Sequence, residues 1–184
     1  MRKAELRAHA RALRAMLPAR RRGEQALAIA ERLLGLPEVA AAGAVLAYGA
    51  SEEEADPRPA VDALRERGVR IAYPRIAGEG CLALHWVSSA EELQVGALGI
   101  REPAGTCACA EPSGIDVVLV PGIAFGRDGY RLGFGAGYYD RFLPTVPDAF
   151  KVGLAYEVQL FDTVPHEAHD VPLDAVITPS AIVR

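Results

Sequence analysis

The feature that most constrains this chain is the segment "IDVVLVPG" at residues 115 to 122, whose residues after Asp116 form an unbroken apolar run. A strand with one wet face alternates apolar and polar side chains. A run with no polar interruption therefore belongs to a strand covered on both faces, as in the middle of a parallel sheet. Five shorter segments read as further strands: "AVLAY" (44 to 48), "VRIAYP" (69 to 74, stopped by Pro74), "CLALHWV" (81 to 87), "KVGLAY" (151 to 156) and "LDAVITP" (173 to 179). Helical pieces are expected between them. Leu6, Ala10, Leu13 and Leu17 recur at helical spacing, and a second helix is expected over roughly Arg22 to Leu34. Asp56 and Pro57 start a helix through Arg67, Ser89 opens a short helix with capping-box spacing, and another follows Gly137. Strands alternating with helices predict the α/β class: a single three-layer α/β/α domain, residues 1 to 184, with a mostly parallel sheet.

A chain of 184 residues, 51% apolar, can bury its own core without metal or disulfide. No apolar stretch reaches the roughly 20 residues that span a bilayer. The first residues, "MRKAELRAHARALRAML", are too charged for a signal peptide, so the expectation is a cytoplasmic protein. Cys81, Cys107 and Cys109 leave an odd thiol under any pairing, and free cysteines follow. The net charge of -4 argues against nucleic acid as the main partner. The charges are unevenly placed, with eight of the twenty Lys and Arg before Gly23. Lys3, Arg7, Arg11 and Arg14 form a stripe beside the apolar face of the first helix, either a solvated edge or a row of cations reaching into a cleft.

Residues 131 to 143, "RLGFGAGYYDRFL", follow the central strand by a loop in which Asp128-Gly129 is a turn signal. In open α/β sheets, ligands bind at the carboxyl ends of the strands, which is where this loop falls. Gly133, Gly135 and Gly137 leave no Cβ on alternate residues, so backbone N–H groups can approach a ligand and positive φ is allowed. With a helix starting at Tyr138, the loop reads either as a sharp turn or as an anion cradle at a helix N-terminus. It matches neither the P-loop nor the dinucleotide fingerprint. Arg131 can clamp a phosphate bidentately. Asp140 beside such a cradle suggests Mg²⁺ between carboxylate and phosphate, or else a first-turn carboxylate favoured by the helix dipole. Tyr138 and Tyr139 point to different sides of the helix, so at most one should face a ligand.

The segment "VPGIAFGRDGYRLGFGAGYYDRFL" (120 to 143) closely resembles the signature of the 5-formyltetrahydrofolate cyclo-ligase family. Four further blocks resemble that family in order: "KAELR" (3 to 7), "EADPRPAVDALRERGVRIAYPRI" (54 to 76), "GIREP" (99 to 103) and "HDVPLDAVITP" (169 to 179). The resemblance implies an ATP- and Mg²⁺-dependent ligase that converts 5-formyltetrahydrofolate to 5,10-methenyltetrahydrofolate, releasing ADP and phosphate through a phosphorylated formyl intermediate. It implies that Lys3, Arg7, Arg131, Leu132, Gly133, Phe134, Gly135, Ala136, Gly137, Tyr138 and Tyr139 bind ATP. It further implies that Gly49, Glu54 and residues Phe134 to Tyr138 bind the folate, that Arg131 and Tyr138 are catalytic, and that Asp140 and Asp170 hold magnesium. Asp174 is the alternative second carboxylate. Gly49 is expected to let the backbone approach beneath the pterin. Without the resemblance, Glu54 reads as one of a surface acid run, Glu52-Glu53-Glu54. The chain departs from the family at Pro57, where threonine is frequent, and at Ala136, where some members carry lysine. The expected protein is a monomer acting on a small molecule, with no membrane partner. Two other classes stay open: a folate-binding or regulatory relative without ligase activity, and a related ligase for another formylated amine.

Other residues carry weaker signals. Cys107-Ala108-Cys109 lacks a second pair for zinc, and His166 and His169 sit in a loop around Asp170. Trp86 is expected in the core, and the Arg20-Arg21-Arg22 run in solvent.

Overall fold

A computed structural model describes residues 2–51, 53–96 and 99–184. The first half contains helices α1 (Lys3–Ala15), α2 (Ala19–Leu34) and α3 (Pro37–Ala40), strand β1 (Ala44–Leu46), helix α4 (Arg58–Glu66), and strands β2 (Arg70–Gly78) and β3 (Cys81–Trp86). Then come β4 (Leu93–Val95), β5 (Arg101–Pro103), β6 (Cys109–Ala110), β7 (Val117–Val120), β8 (Ala124–Gly126), β9 (Arg131–Leu132) and helix α5 (Tyr138–Phe142). The chain closes with β10 (Phe150–Leu154), β11 (Leu160–Phe161), β12 (Ala175–Ile177) and β13 (Ile182–Val183).

Eight strands form the main sheet in the order β13-β12-β10-β7-β1-β2-β3-β6. The five from β12 to β2 are mutually parallel, and the strands outside them pair antiparallel. The apolar run at 117 to 120 is β7, every residue of it buried. Val117 and Leu119 face one core cluster, Val118 and Val120 the other, as a strand covered on both sides requires. Ile29, Ala30 and Leu33 of α2, with Ala60, Val61 and Leu64 of α4, cover the first face. The second face is closed by Phe142 of α5 and by Leu143, Val146 and Ala149 just after it, so the third layer is thin.

After β1 the chain crosses to β2 on one side, and the later strand β7 lies on the other. That divergence makes a crevice at the carboxyl ends of β1 and β7, the usual ligand position in such sheets. A small sheet, β11-β8-β9, stands at this end, and α1 packs on it through Leu6 and Ala10 against Ile123, Ala124, Leu132 and Val164.

Several sequence expectations shift. Pro74 does not stop its strand: β2 runs on to Gly78, because beyond Ala72 it pairs only with β3 and has a free edge for a residue without an N–H. The stretch after Pro121 is not all loop, since β8 and β9 form an antiparallel pair across the Asp128-Gly129 turn. Ser89 precedes only a 3₁₀ turn, and the Glu92 carboxylate accepts from the Ser88 N–H rather than closing a capping box on Ser89. Helix α2 starts three residues earlier than expected, at Ala19. Trp86 is partly buried, with the Arg70 guanidinium 4.3 Å from its ring centroid. Among the described residues no helix is long and apolar enough to cross a membrane.

Candidate active site

The crevice is a cleft of about 610 Å³. Its cationic end is built by the β8–β9 hairpin, the glycine loop and the first residues of α1. Arg131 leaves β9 with its side chain only 3% exposed, and its Nη2 donates to Asp140 Oδ1 at 2.7 Å. Its Nε is buried and has no partner. A buried guanidinium with an unused donor is held ready for a second acceptor.

Gly137, at φ 70°, and Gly135, at φ 105°, hold left-handed backbone that side-chain-bearing residues rarely adopt. The N–H groups of Gly133, Phe134, Gly135 and Ala136 donate to no other described backbone or side-chain acceptor. Helix α5 has only five residues, so an anion here would meet these loop N–H groups and the nearby cations more than a helix dipole. Arg7 Nε donates to Gly133 O at 2.8 Å, fastening α1 to the loop. Lys3 Nζ donates to Asp170 Oδ2 at 3.0 Å and lies 2.8 Å from Glu167 Oε1. Partial burial opposes the charge on Asp170, but the Lys3 hydrogen bond, the Glu167 N–H and the Lys3 charge outweigh it and hold the carboxyl below its usual range. The cationic stripe thus divides. Lys3 and Arg7 line the cleft, while Arg11 and Arg14 lie 5.6 and 6.0 Å from the Phe134 ring centroid, with Arg14 buried and paired to Glu53.

The other end of the cleft follows β1. Glu54 is 6% exposed, and its Oε2 accepts the Ser51 N–H at 2.9 Å. Its backbone oxygen accepts from the Tyr156 hydroxyl, and Tyr48 donates to the neighbouring Ala55 oxygen. Glu54 is therefore no part of a surface acid run: Glu53 turns to Arg14, Glu54 turns inward, and Glu52 lies outside the described residues. Gly49 lines the cleft as expected, but for a different reason, since a Cβ there would strike the Arg101 carbonyl of β5. Pro74, Ile76, Leu82, Ile100 and Pro121 add an apolar wall between the two ends. Leu132, Phe134, Ala136, Tyr138 and Tyr139 complete the ring of expected residues on the cleft, so both tyrosines line it where the helical spacing predicts at most one.

Of the two candidate second carboxylates, Asp170 lies on the cleft. Asp174 precedes β12 and accepts the Lys151 N–H at 2.7 Å, at the amino ends of the strands and away from the site. His166 stacks on Tyr130, with centroids 3.6 Å apart, and His169 reaches toward Asp170 and Glu167. Among the described residues no group of three or more His, Cys, Asp or Glu side chains is placed to hold a metal by itself. Asp140 and Asp170 each keep an oxygen free of hydrogen bonds, which suits an ion that takes one or two carboxylates plus phosphate oxygens.

Sequence reasoning missed Arg141. Its Nε donates to Gly80 O at 3.0 Å in the β2–β3 turn, its Nη2 to Ala136 O, and its guanidinium lies 6.0 Å from the Tyr138 ring centroid. It latches the glycine loop to the opposite wall. An arginine one turn into a short helix ordinarily faces solvent, so nothing in the local pattern marks it.

The family model described as the 5-formyltetrahydrofolate cyclo-ligase family matches residues 1–179. The chain belongs to this family. The 5-formyltetrahydrofolate cyclo-ligase of Escherichia coli K12 is 34% identical to it over 169 residues, covering 87% of this chain and 89% of the other. The cyclo-ligase of Mycolicibacterium smegmatis is 38% identical over 125 residues, covering 65% and 64% of the two chains. Among solved structures, the 5,10-methenyltetrahydrofolate synthetase of Aquifex aeolicus superposes with a TM-score of 0.86 at 34% identity, over 100% of this chain and 93% of that one. The Mycoplasma pneumoniae synthetase superposes with a TM-score of 0.78 at 25% identity, over 97% and 99%.

Proposed function

We propose that this cleft binds ATP and 5-formyltetrahydrofolate side by side and couples cleavage of the nucleotide to closure of the folate's methenyl bridge. The observation that carries the reading is that an inward carboxylate, Glu54, and a cation-backed glycine loop share one cleft, joined by an apolar wall. Glu54 accepts hydrogen bonds from the pterin's amino group and ring N–H, and the wall by Gly49, Phe134 and Tyr138 receives the flat ring. Lys3, Arg7, Arg131 and the backbone from Leu132 to Tyr139 hold the triphosphate.

The formyl oxygen attacks the γ-phosphorus while the bond to the β-phosphate oxygen breaks and ADP departs. N10 of the folate then adds to the activated formyl carbon and gives up its proton, the carbon–oxygen bond breaks, and phosphate leaves with both electrons and can carry that proton away. Phosphoryl transfer of this kind asks the protein for alignment and charge neutralisation more than for a covalent partner. Arg131 supplies a fork-shaped cation at the transferring group, and Tyr138 lines the space beside the formyl group. A magnesium ion held by Asp140 and Asp170 would neutralise phosphate charge. In this reading the whole chain works as one unit, monomeric and cytoplasmic.

Replacing Asp140 with asparagine is expected to shift the magnesium titration of activity to at least about tenfold higher concentration, because a metal-binding charge is lost. An unaltered titration would remove Asp140 from the metal site. The reading as a whole is tested by absorbance at the methenyl-folate band after mixing protein, 5-formyltetrahydrofolate, Mg²⁺ and ATP. Growth of the band only with ATP, with equal phosphate release, supports it. A flat trace with folate still bound indicates a binding protein, and a flat trace with only ATP bound points to another formylated substrate.

A further inference from the structure

Tyr139 is not used by the mechanism above except through its backbone, yet its side chain is unusual. Its ring packs on the second core cluster and meets Phe142 edge-on, with centroids 6.3 Å apart. Its hydroxyl is buried, has no hydrogen-bond partner, and belongs to a residue on the cleft wall. Burial pushes the phenol well above its usual range, the Glu54 charge adds to this, and Arg131 opposes it. The group is therefore a neutral O–H donor that lines the same cleft as Glu54 and has the Arg131 guanidinium 6.0 Å from its ring centroid. Its neighbours Tyr48 and Tyr156 spend their hydroxyls on backbone carbonyls of Ala55 and Glu54. Tyr139 alone of these three is left without an acceptor. A buried polar group without a protein partner weakens the unliganded fold, and one on a cleft wall can be satisfied by an acceptor that arrives with the ligand.

We propose that the Tyr139 hydroxyl is a substrate-contacting group that donates a hydrogen bond to the pterin carbonyl oxygen, beside the edge that Glu54 reads. This rests on the folate assignment above and adds to it. A 2-amino-4-oxo pyrimidine edge that offers an amino group and a ring N–H to one carboxylate carries its carbonyl next to that ring N–H. A carboxylate and a hydroxyl donor lining one cleft supply the acceptor and the donor that such an edge requires. The contact makes Tyr139 a specificity determinant, because it favours an oxo group at that carbon over an amino group, which presents a donor to a donor.

The test is Tyr139→Phe, which keeps the ring and its packing. The expected result is a folate KM about tenfold higher with the nucleotide KM unchanged. The melting temperature of the unliganded protein should be unchanged or higher, since an unsatisfied hydroxyl is removed. The wild-type preference for the 4-oxo folate over its 4-amino analogue should shrink by a similar factor. Unchanged folate KM and unchanged preference would overturn the proposal, as would a lower melting temperature with equal loss of both substrates. The wild-type control separates this from the folate assignment: a protein that forms no methenyl product and binds no folate overturns that assignment and this contact with it.

Discussion

Replacement of Arg131 by alanine is expected to lower kcat by about a hundredfold or more, on the order of 3 kcal/mol of transition-state stabilisation. The argument starts from burial. The side chain is 3% exposed and spends one nitrogen on Asp140 while its Nε has no partner, so the guanidinium is rigid, dehydrated and has donor capacity to spare. In such surroundings a fixed cation stabilises developing phosphoryl charge far more than a solvated one could. Asp140, at 31% side-chain exposure, can be rehydrated once its partner is gone, so the variant should fold with some loss of stability. Arg131→Lys keeps the charge without the planar fork and should recover only part of the rate. Single-turnover kinetics at saturating ATP and folate provide the measurement. An unchanged rate for the alanine variant would take Arg131 out of the chemistry.

The second large effect is expected on substrate capture. Glu54→Gln should raise the folate KM by roughly 10- to 100-fold, the range for losing hydrogen bonds to a charged acceptor. The change is nearly isosteric, and the side-chain carbonyl can keep the Ser51 N–H bond that the carboxylate accepts at 2.9 Å. Nucleotide binding, at the other end of the cleft, should be unaffected. Equal weakening of both ligands in calorimetry would mean that the turn around residues 51 to 55 had collapsed, and the pterin assignment would lose its support.

What could be read in advance depended on how far each feature's cause extends along the chain. Strand β7 was legible because burial on both faces writes an unbroken apolar run, and its neighbours alternate with helices in the order a parallel sheet demands. The continuation of β2 past Pro74 was not, because whether a missing N–H matters depends on which edge is free, a property of the partner strands. Strands β8 and β9, of three and two residues, are too short to show a period. On α1, helical spacing grouped the four cations correctly but could not say that Lys3 and Arg7 reach the cleft while Arg14 is buried against Glu53. The inward turn of Glu54 rests on Ser51 and on Tyr156, the latter a hundred residues away in sequence, and only family resemblance pointed to it. Arg141 left no trace at all, since its partner at Gly80 belongs to a distant hairpin.

The ion pairs inside the cleft, Lys3 with Asp170 and Arg131 with Asp140, give it the character of a resin already loaded with its counter-ions. In the reading proposed above, a triphosphate competes with Asp170 for Lys3 and with Asp140 for Arg131, and a carboxylate that gives way beside a triphosphate has a divalent ion as its natural new companion. Nucleotide and metal then enter by a joint exchange of partners, each lowering the other's cost of entry. On that footing ATP without magnesium, or magnesium without ATP, should titrate weakly into the protein, and the pair together should bind far more tightly than either alone.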